Sequence, residues 1–151
     1  MSKALVVIDM QPDFYPSDKV ISNCRKQIKD AIKKSIDIIF VEYKSFGPTL
    51  TDLKEPIKKA KYGRVSTRTK TRMDGSLQVK NIVSKLRHKV DSLVCCGIFT
   101  DQCVYSTVKG LNKRLPTARI EVVAKACASD FPSYHIKGLA NMRKLPNVKI
   151  V

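Results

Sequence analysis

The chain is poor in the residues that build metal centres and disulfide frameworks. Only two histidines, His88 and His135, occur in 151 residues, and no Cys-x-x-Cys pair links any of its five cysteines. That scarcity leaves no zinc motif, and an odd cysteine count argues against a closed set of disulfides. The expectation is no metal, no cofactor and a reducing, cytoplasmic setting. Long apolar runs are missing too. The opening "MSKALVVIDM" has one lysine and a short apolar patch that runs straight into Asp9, with no small-residue cleavage site and no span near about 20 apolar residues. Neither a leader nor a membrane helix is expected. Without repeats, low-complexity tracts or linkers, residues 1–151 read as one domain, long enough to bury about two thirds of the surface its unfolded form exposes.

Acidic residues are also scarce: 13 Asp and Glu face 29 Lys and Arg, a net charge of +16. Such a balance attracts polyanions and small anions through its long-range field. It carries no information on base sequence, and the chain has no aromatic RNA-binding motif, arginine-rich tail or recognition-helix motif. No specific nucleic-acid partner is expected. The cations run along the whole chain and are densest from Lys54 to Arg72, where the simplest reading is a solvated, soluble face.

What the sequence does have is a recurrent alternation of apolar runs and helical segments, the pattern of βαβ units. "ALVVIDM" (4–10), "IDIIFVEY" (36–43) and "DSLVCCGIF" (91–99) are near-continuous apolar runs, suited to strands buried on both faces. "RVSTRTK" (64–70) reads as a charged edge strand, and "ARIEVVA" (118–124) and "VKIV" (148–151) supply two more. A basic amphipathic helix begins at Ser17 or Ser22 and runs to about Lys34. Only a turn or two of helix is expected before Lys61. Further helices open at Gly75-Ser76, at Thr100 or Asp101, and near Pro132. The expected fold is α/β: three α/β/α layers around a doubly wound, mainly parallel six-stranded sheet of order 3-2-1-4-5-6 with right-handed crossovers.

In such sheets ligands collect outside the carboxyl ends of the strands. Asp9 ends the first strand, Lys70 ends the third, and the turn carrying Cys103 follows the fourth. Cys95 and Cys96 lie within the fourth strand and read as small hydrophobes that fill it. Cys103 differs, because it sits in the first turn of a helix, where unpaired N–H groups and the helix dipole favour a negative sulfur. Lys70 would add positive charge, and Asp9 could take the thiol proton and return it to a leaving group. Free N–H groups of the turn 98–103 are suited to an oxyanion. Together these roles describe a cysteine hydrolase.

"ALVVIDMQPDF" (4–14) resembles the opening strand motif of the isochorismatase-like cysteine hydrolases, and "CGIFTDQCV" (96–104) resembles their nucleophile motif; the likeness continues through "VVAKACAS" (122–129). The resemblance implies a catalytic triad of Asp9, Lys70 and Cys103, with Lys70 chosen over Arg68, Arg72 and Lys61 because it lies 33 residues before Cys103. It also implies a cis peptide between Ile98 and Phe99, an oxyanion hole of the Phe99 and Cys103 N–H groups, and Gln11 and Phe14 bordering the substrate pocket. Asp101 matches the motif's acidic position, where the expected job is capping the Cys103 helix. A homo-oligomer, dimer or tetramer, is implied as well.

The departures from that family are equally specific. Where its nicotinamidases carry an Asp-x-His metal motif, this chain has "VEYKSFGP". Isochorismate-cleaving members typically lack the cysteine, so Cys103 favours acyl chemistry. Lys125 stands where relatives usually have Asp, and the segment between the second and third strands is short, so an open pocket is expected unless a neighbouring subunit covers it. Three readings follow: an amidohydrolase acting on a small amide, carbamoyl or ester substrate, which the positive charge suits to an anionic one; a catalytically weak protein of the same fold using its charge on an acidic partner; and a thiol-redox protein pairing Cys103 with Cys95 or Cys96.

Overall fold

A computed structural model describes residues 2–151; of the opening segment read for a leader, Met1 lies outside the described residues. Six strands, β1 (Lys3–Ile8), β2 (Asp37–Tyr43), β3 (Val65–Lys70), β4 (Ser92–Ile98), β5 (Arg119–Ala128) and β6 (Val148–Ile150), form one sheet of order β3-β2-β1-β4-β5-β6. All neighbours are parallel. The helices are α1 (Asp18–Lys33), α2 (Thr51–Ala60), α3 (Ser76–Val83), α4 (Tyr105–Arg114) and α5 (Pro132–Arg143).

The strict two-residue period of a strand sorts the core into two halves. Ala4, Val6, Ile8, Ile39, Val41, Leu93 and Cys95 face α3, α4 and α5. Leu5, Val7, Ile38, Phe40, Cys96 and Ile98 face α1 and α2. Cys95 and Cys96 are therefore buried on opposite faces, and all five cysteines are free. Ser17, rather than Ser22, caps α1: its hydroxyl accepts from the Val20 N–H.

Two elements differ from the sequence reading. Helix α2 has ten residues, not one or two turns, despite Pro56 inside it. Proline removes the N–H that would bond the carbonyl one turn earlier, and Arg25 Nη1 donates to the Asp52 carbonyl at 2.5 Å instead. Strand β5 runs four residues past the expected end at position 124, because its pairing with β4 resumes at Cys127 and Ala128 after an irregularity between Cys95 and Gly97.

Gly97 is the tightest point of the sheet. Its φ is +125°, and a Cβ there would lie 2.1 Å from the Ile8 carbonyl oxygen. Only glycine lets the ends of β1 and β4 approach this closely. Strand order reverses between these two strands, which makes their carboxyl ends the topological switch point.

Candidate active site

Each chemically useful side chain here is delivered by the end of a strand. Asp9 is the first residue past β1, and its φ of +53° puts it in the left-handed region that Asp tolerates better than most residues. Its N–H bonds the Val41 carbonyl and its own carbonyl receives the Gln11 N–H, which secures the turn. Lys70 is the last residue of β3. After β4, the Ile98–Phe99 peptide is cis, and a π-helical turn, Thr100–Val104, carries Cys103 into α4. Such turns inside helices are frequent at functional sites.

The three side chains meet. Lys70 Nζ lies 3.0 Å from Asp9 Oδ2 and 3.4 Å from Cys103 Sγ, and it donates to the Arg72 carbonyl at 2.9 Å. The ammonium thus donates to the Cys103 sulfur and the Arg72 carbonyl, and meets Asp9 as an ion pair without an aligned hydrogen bond. Nζ also sits 4.1 Å from the centroid of the Tyr43 ring, a cation–π contact that shields it. Asp9 and Lys70 are each 1 % exposed and Cys103 is 6 %. Neither Asp9 oxygen receives an aligned hydrogen bond among the described residues. A buried acceptor left in this state is costly, and it can take a proton or a donor supplied by a reacting molecule.

Burial dominates the electrostatics. It pushes the Asp9 carboxyl above its ordinary pKa, against the opposing charge of Lys70. Burial, and then the negative charge of Asp9, push the Cys103 thiol up to about 12, with Lys70 again opposing. From the sequence, the helix turn and Lys70 are expected to favour a thiolate. In the folded chain burial and the Asp9 charge outweigh Lys70, so Cys103 rests as a thiol. Any nucleophilic use of this sulfur must therefore include loss of its proton.

The remaining expected residues are placed as follows. Gln11 is fully buried and its amide is spent on backbone: Nε2 donates to the Tyr43 carbonyl (2.8 Å) and the Gly47 carbonyl (2.7 Å), and Oε1 accepts from the Tyr43 N–H (2.7 Å). It clamps the loop after β2, with both donors occupied, so the expected substrate contact from its amide would require breaking one of these bonds. Phe14 stacks on Phe46 at 4.3 Å and meets Phe99 edge-on at 5.9 Å. Asp101 does not cap the helix as expected. The Phe99 cap position receives no side-chain hydrogen bond, and Asp101 Oδ1 instead accepts from Ser129 Oγ at 2.7 Å.

Tyr43 and Phe46 escaped the sequence reading. Phe46 comes from the short segment after β2 and, with Phe14 and Tyr43, forms an aromatic cluster whose Tyr43 ring lies against Lys70 Nζ. The signal was present in "YKSF", whose aromatics follow a buried strand directly. Among the described residues no group of His, Cys, Asp and Glu is suited to a metal ion, and no helix is long and apolar enough to cross a membrane.

A deep parallel sheet with this reversed order and a Cys-bearing turn at its switch point defines a class of α/β proteins, and the comparisons say which. Residues 3–150 match the isochorismatase domain, and the chain belongs to that family. Among curated proteins it is similar to isochorismatase domain-containing protein 2A of Mus musculus, at 27% identity over 95% of this chain and 68% of that protein. Among solved structures it resembles the MAR1 ribonuclease of Caenorhabditis elegans, with a TM-score of 0.85 and 23% identity over 99% of this chain and 77% of the other. It also resembles the nicotinamidase SaPncA of Staphylococcus aureus, with a TM-score of 0.84 and 22% identity over the full length of both chains.

Proposed function

We propose that this protein is a cysteine hydrolase that cleaves a small amide, carbamoyl or ester substrate through a thioester. The observation that carries the proposal is the buried contact set in which Lys70 Nζ touches both Asp9 and Cys103. Family membership and the nicotinamidase among its structural relatives support the same direction.

In this reading the substrate carbonyl carbon approaches Cys103 Sγ, the thiol proton passes to Asp9, and a C–S bond forms. The N–H groups of Phe99 and Cys103 receive the oxygen as it becomes an oxyanion. Collapse of the intermediate expels the amine, which takes the proton from Asp9, and leaves a thioester. Water then attacks, giving a proton to Asp9 as it adds, and that proton returns to sulfur as the acid departs. Lys70 stabilises the Asp9 carboxylate each time it is ionised in the interior. No cofactor is required, and a homodimer or tetramer is the expected assembly.

Replacing Cys103 with Ala should remove all turnover and all covalent adduct with an amide or ester library; turnover that survives in Cys103→Ala sinks the assignment. One observation favours a second reading, a binding role toward an acidic partner: the net charge of +16. A complex that survives physiological salt would support it, whereas weak binding that disappears with added salt is only the background expected of any polycation.

A further inference from the structure

Strand β6 pairs with β5 only over Ile120–Val122, and the last backbone link between them is the Ala124 N–H to the Val151 carbonyl. Beyond that point β5 runs on to Ala128 with no strand on its outer edge. A cavity of about 390 Å³ lies there, between the first turn of α1, the end of β5 and the first turn of α5. Its volume is in the range of small-molecule sites, about 300–1,000 Å³. It is separate from the triad residues, none of which lines it.

The lining has two chemical characters. Val20, Ala124, Ala128, Phe131 and Pro132 make apolar walls. Lys19, from α1, and Lys125, from β5, are both exposed and bring positive charge to it, and no carboxylate is among the lining residues. The nearest acids in sequence, Asp18 and Asp130, are exposed and lie outside it. An apolar body fits the walls and a negative head fits the lysines.

The same walls grip the turn that carries Cys103. His135, which lines the cavity, places Nδ1 2.7 Å from the Thr100 hydroxyl. Ser129, also in the lining, donates to Asp101 at 2.7 Å. One turn further along α5, Gly138 packs so closely that a Cβ would lie 2.8 Å from the Asp101 nitrogen. A body that pushes α5 or the end of β5 outward therefore moves residues 100 and 101, directly before Cys103.

We infer that this cavity binds a small amphipathic anion and that its occupancy changes the reactivity of Cys103. The binding claim stands alone; the effect on Cys103 rests on the hydrolase reading. A ligand here acts at a distance from the reacting thiol, through Thr100 and Asp101, and so is an effector and not a substrate.

The test titrates sodium octanoate, octylammonium and 1-octanol into the wild-type protein and the Lys125→Glu and Lys19→Glu variants, by calorimetry, while intact mass follows alkylation of Cys103 by iodoacetamide. The expected result is saturable octanoate binding, about tenfold weaker for octylammonium and about tenfold weaker in either variant. At saturation the alkylation rate should change by about fivefold or more. Equal binding of the three probes, or binding unchanged in both variants, overturns the site. Saturable binding with an unchanged alkylation rate overturns the coupling. Self-association that buries the cavity and excludes octanoate makes this face a contact between copies and overturns the ligand assignment. If Cys103 is not selectively alkylated even without octanoate, the hydrolase reading falls, and the calorimetry still decides the site.

Discussion

In the proposed reaction Asp9 acts as a carboxylate, yet burial pushes its pKa above the ordinary value. The active, deprotonated form is lost as pH falls through a raised pKa, so the acid limb of the rate profile lies above about 3.9, the value of an unperturbed Asp. Cys103, held up to about 12, gives no rise near about 8.5, where an ordinary thiol ionises. The measurement is the rate of Cys103 alkylation against pH. A simple inflection near 8.5, identical in Asp9→Asn, would contradict the account. Stability offers an independent check on the pair. Removing one partner of a buried ion pair strands the other charge, at about 3–5 kcal/mol, whereas replacing both by uncharged groups is often close to neutral. Asp9→Asn and Lys70→Met should each lower stability in urea unfolding, and the double variant should exceed at least one of them. Strictly additive losses would show that the contact carries no coupling.

At the scale of elements, two predictions concern how strand ends are held. Gly97→Ala places a methyl against the Ile8 carbonyl in a backbone conformation that alanine rarely adopts. A loss of about 3 kcal/mol or more is expected in urea unfolding, and a loss below about 1 kcal/mol would mean the two strands can part cheaply. Gln11→Ala releases the loop after β2, where the amide makes three hydrogen bonds. About 1–3 kcal/mol should be lost, with faster hydrogen exchange at Tyr43, whose N–H loses its acceptor. Much of this level was legible beforehand. Period-two and continuous apolar runs identified every strand, because burial on both faces leaves little freedom in residue choice. What could not be read was contact between side chains far apart in sequence. Arg25 answering the carbonyl that Pro56 frees, and Ser129 claiming Asp101, depend on packing that no local pattern records. The same holds for the thiol. Its position in a helical turn was visible in the sequence, but the burial that keeps it protonated was not.

For the whole molecule, the order of the sheet explains why residues at 9, 70 and 103 converge: β1 and β4 are neighbours at the reversal, and β3 reaches the site with a long lysine from two strands away. The charge is a separate property. Of the 29 cations only Lys70 contacts Asp9 and Cys103, so added salt should leave the selectivity of Cys103 labelling unchanged while abolishing weak polyanion binding. The account stands or falls on whether Cys103 is singled out among five cysteines by its neighbours. The direct measurement is intact-mass labelling with a limiting thiol electrophile from pH 5 to 9, with peptide mapping, on the wild type, Asp9→Asn and Lys70→Ala. The account predicts one adduct, on Cys103, formed at least about a hundredfold more slowly in Asp9→Asn. Adducts spread over several cysteines, or a rate at Cys103 that neither substitution alters, would contradict it.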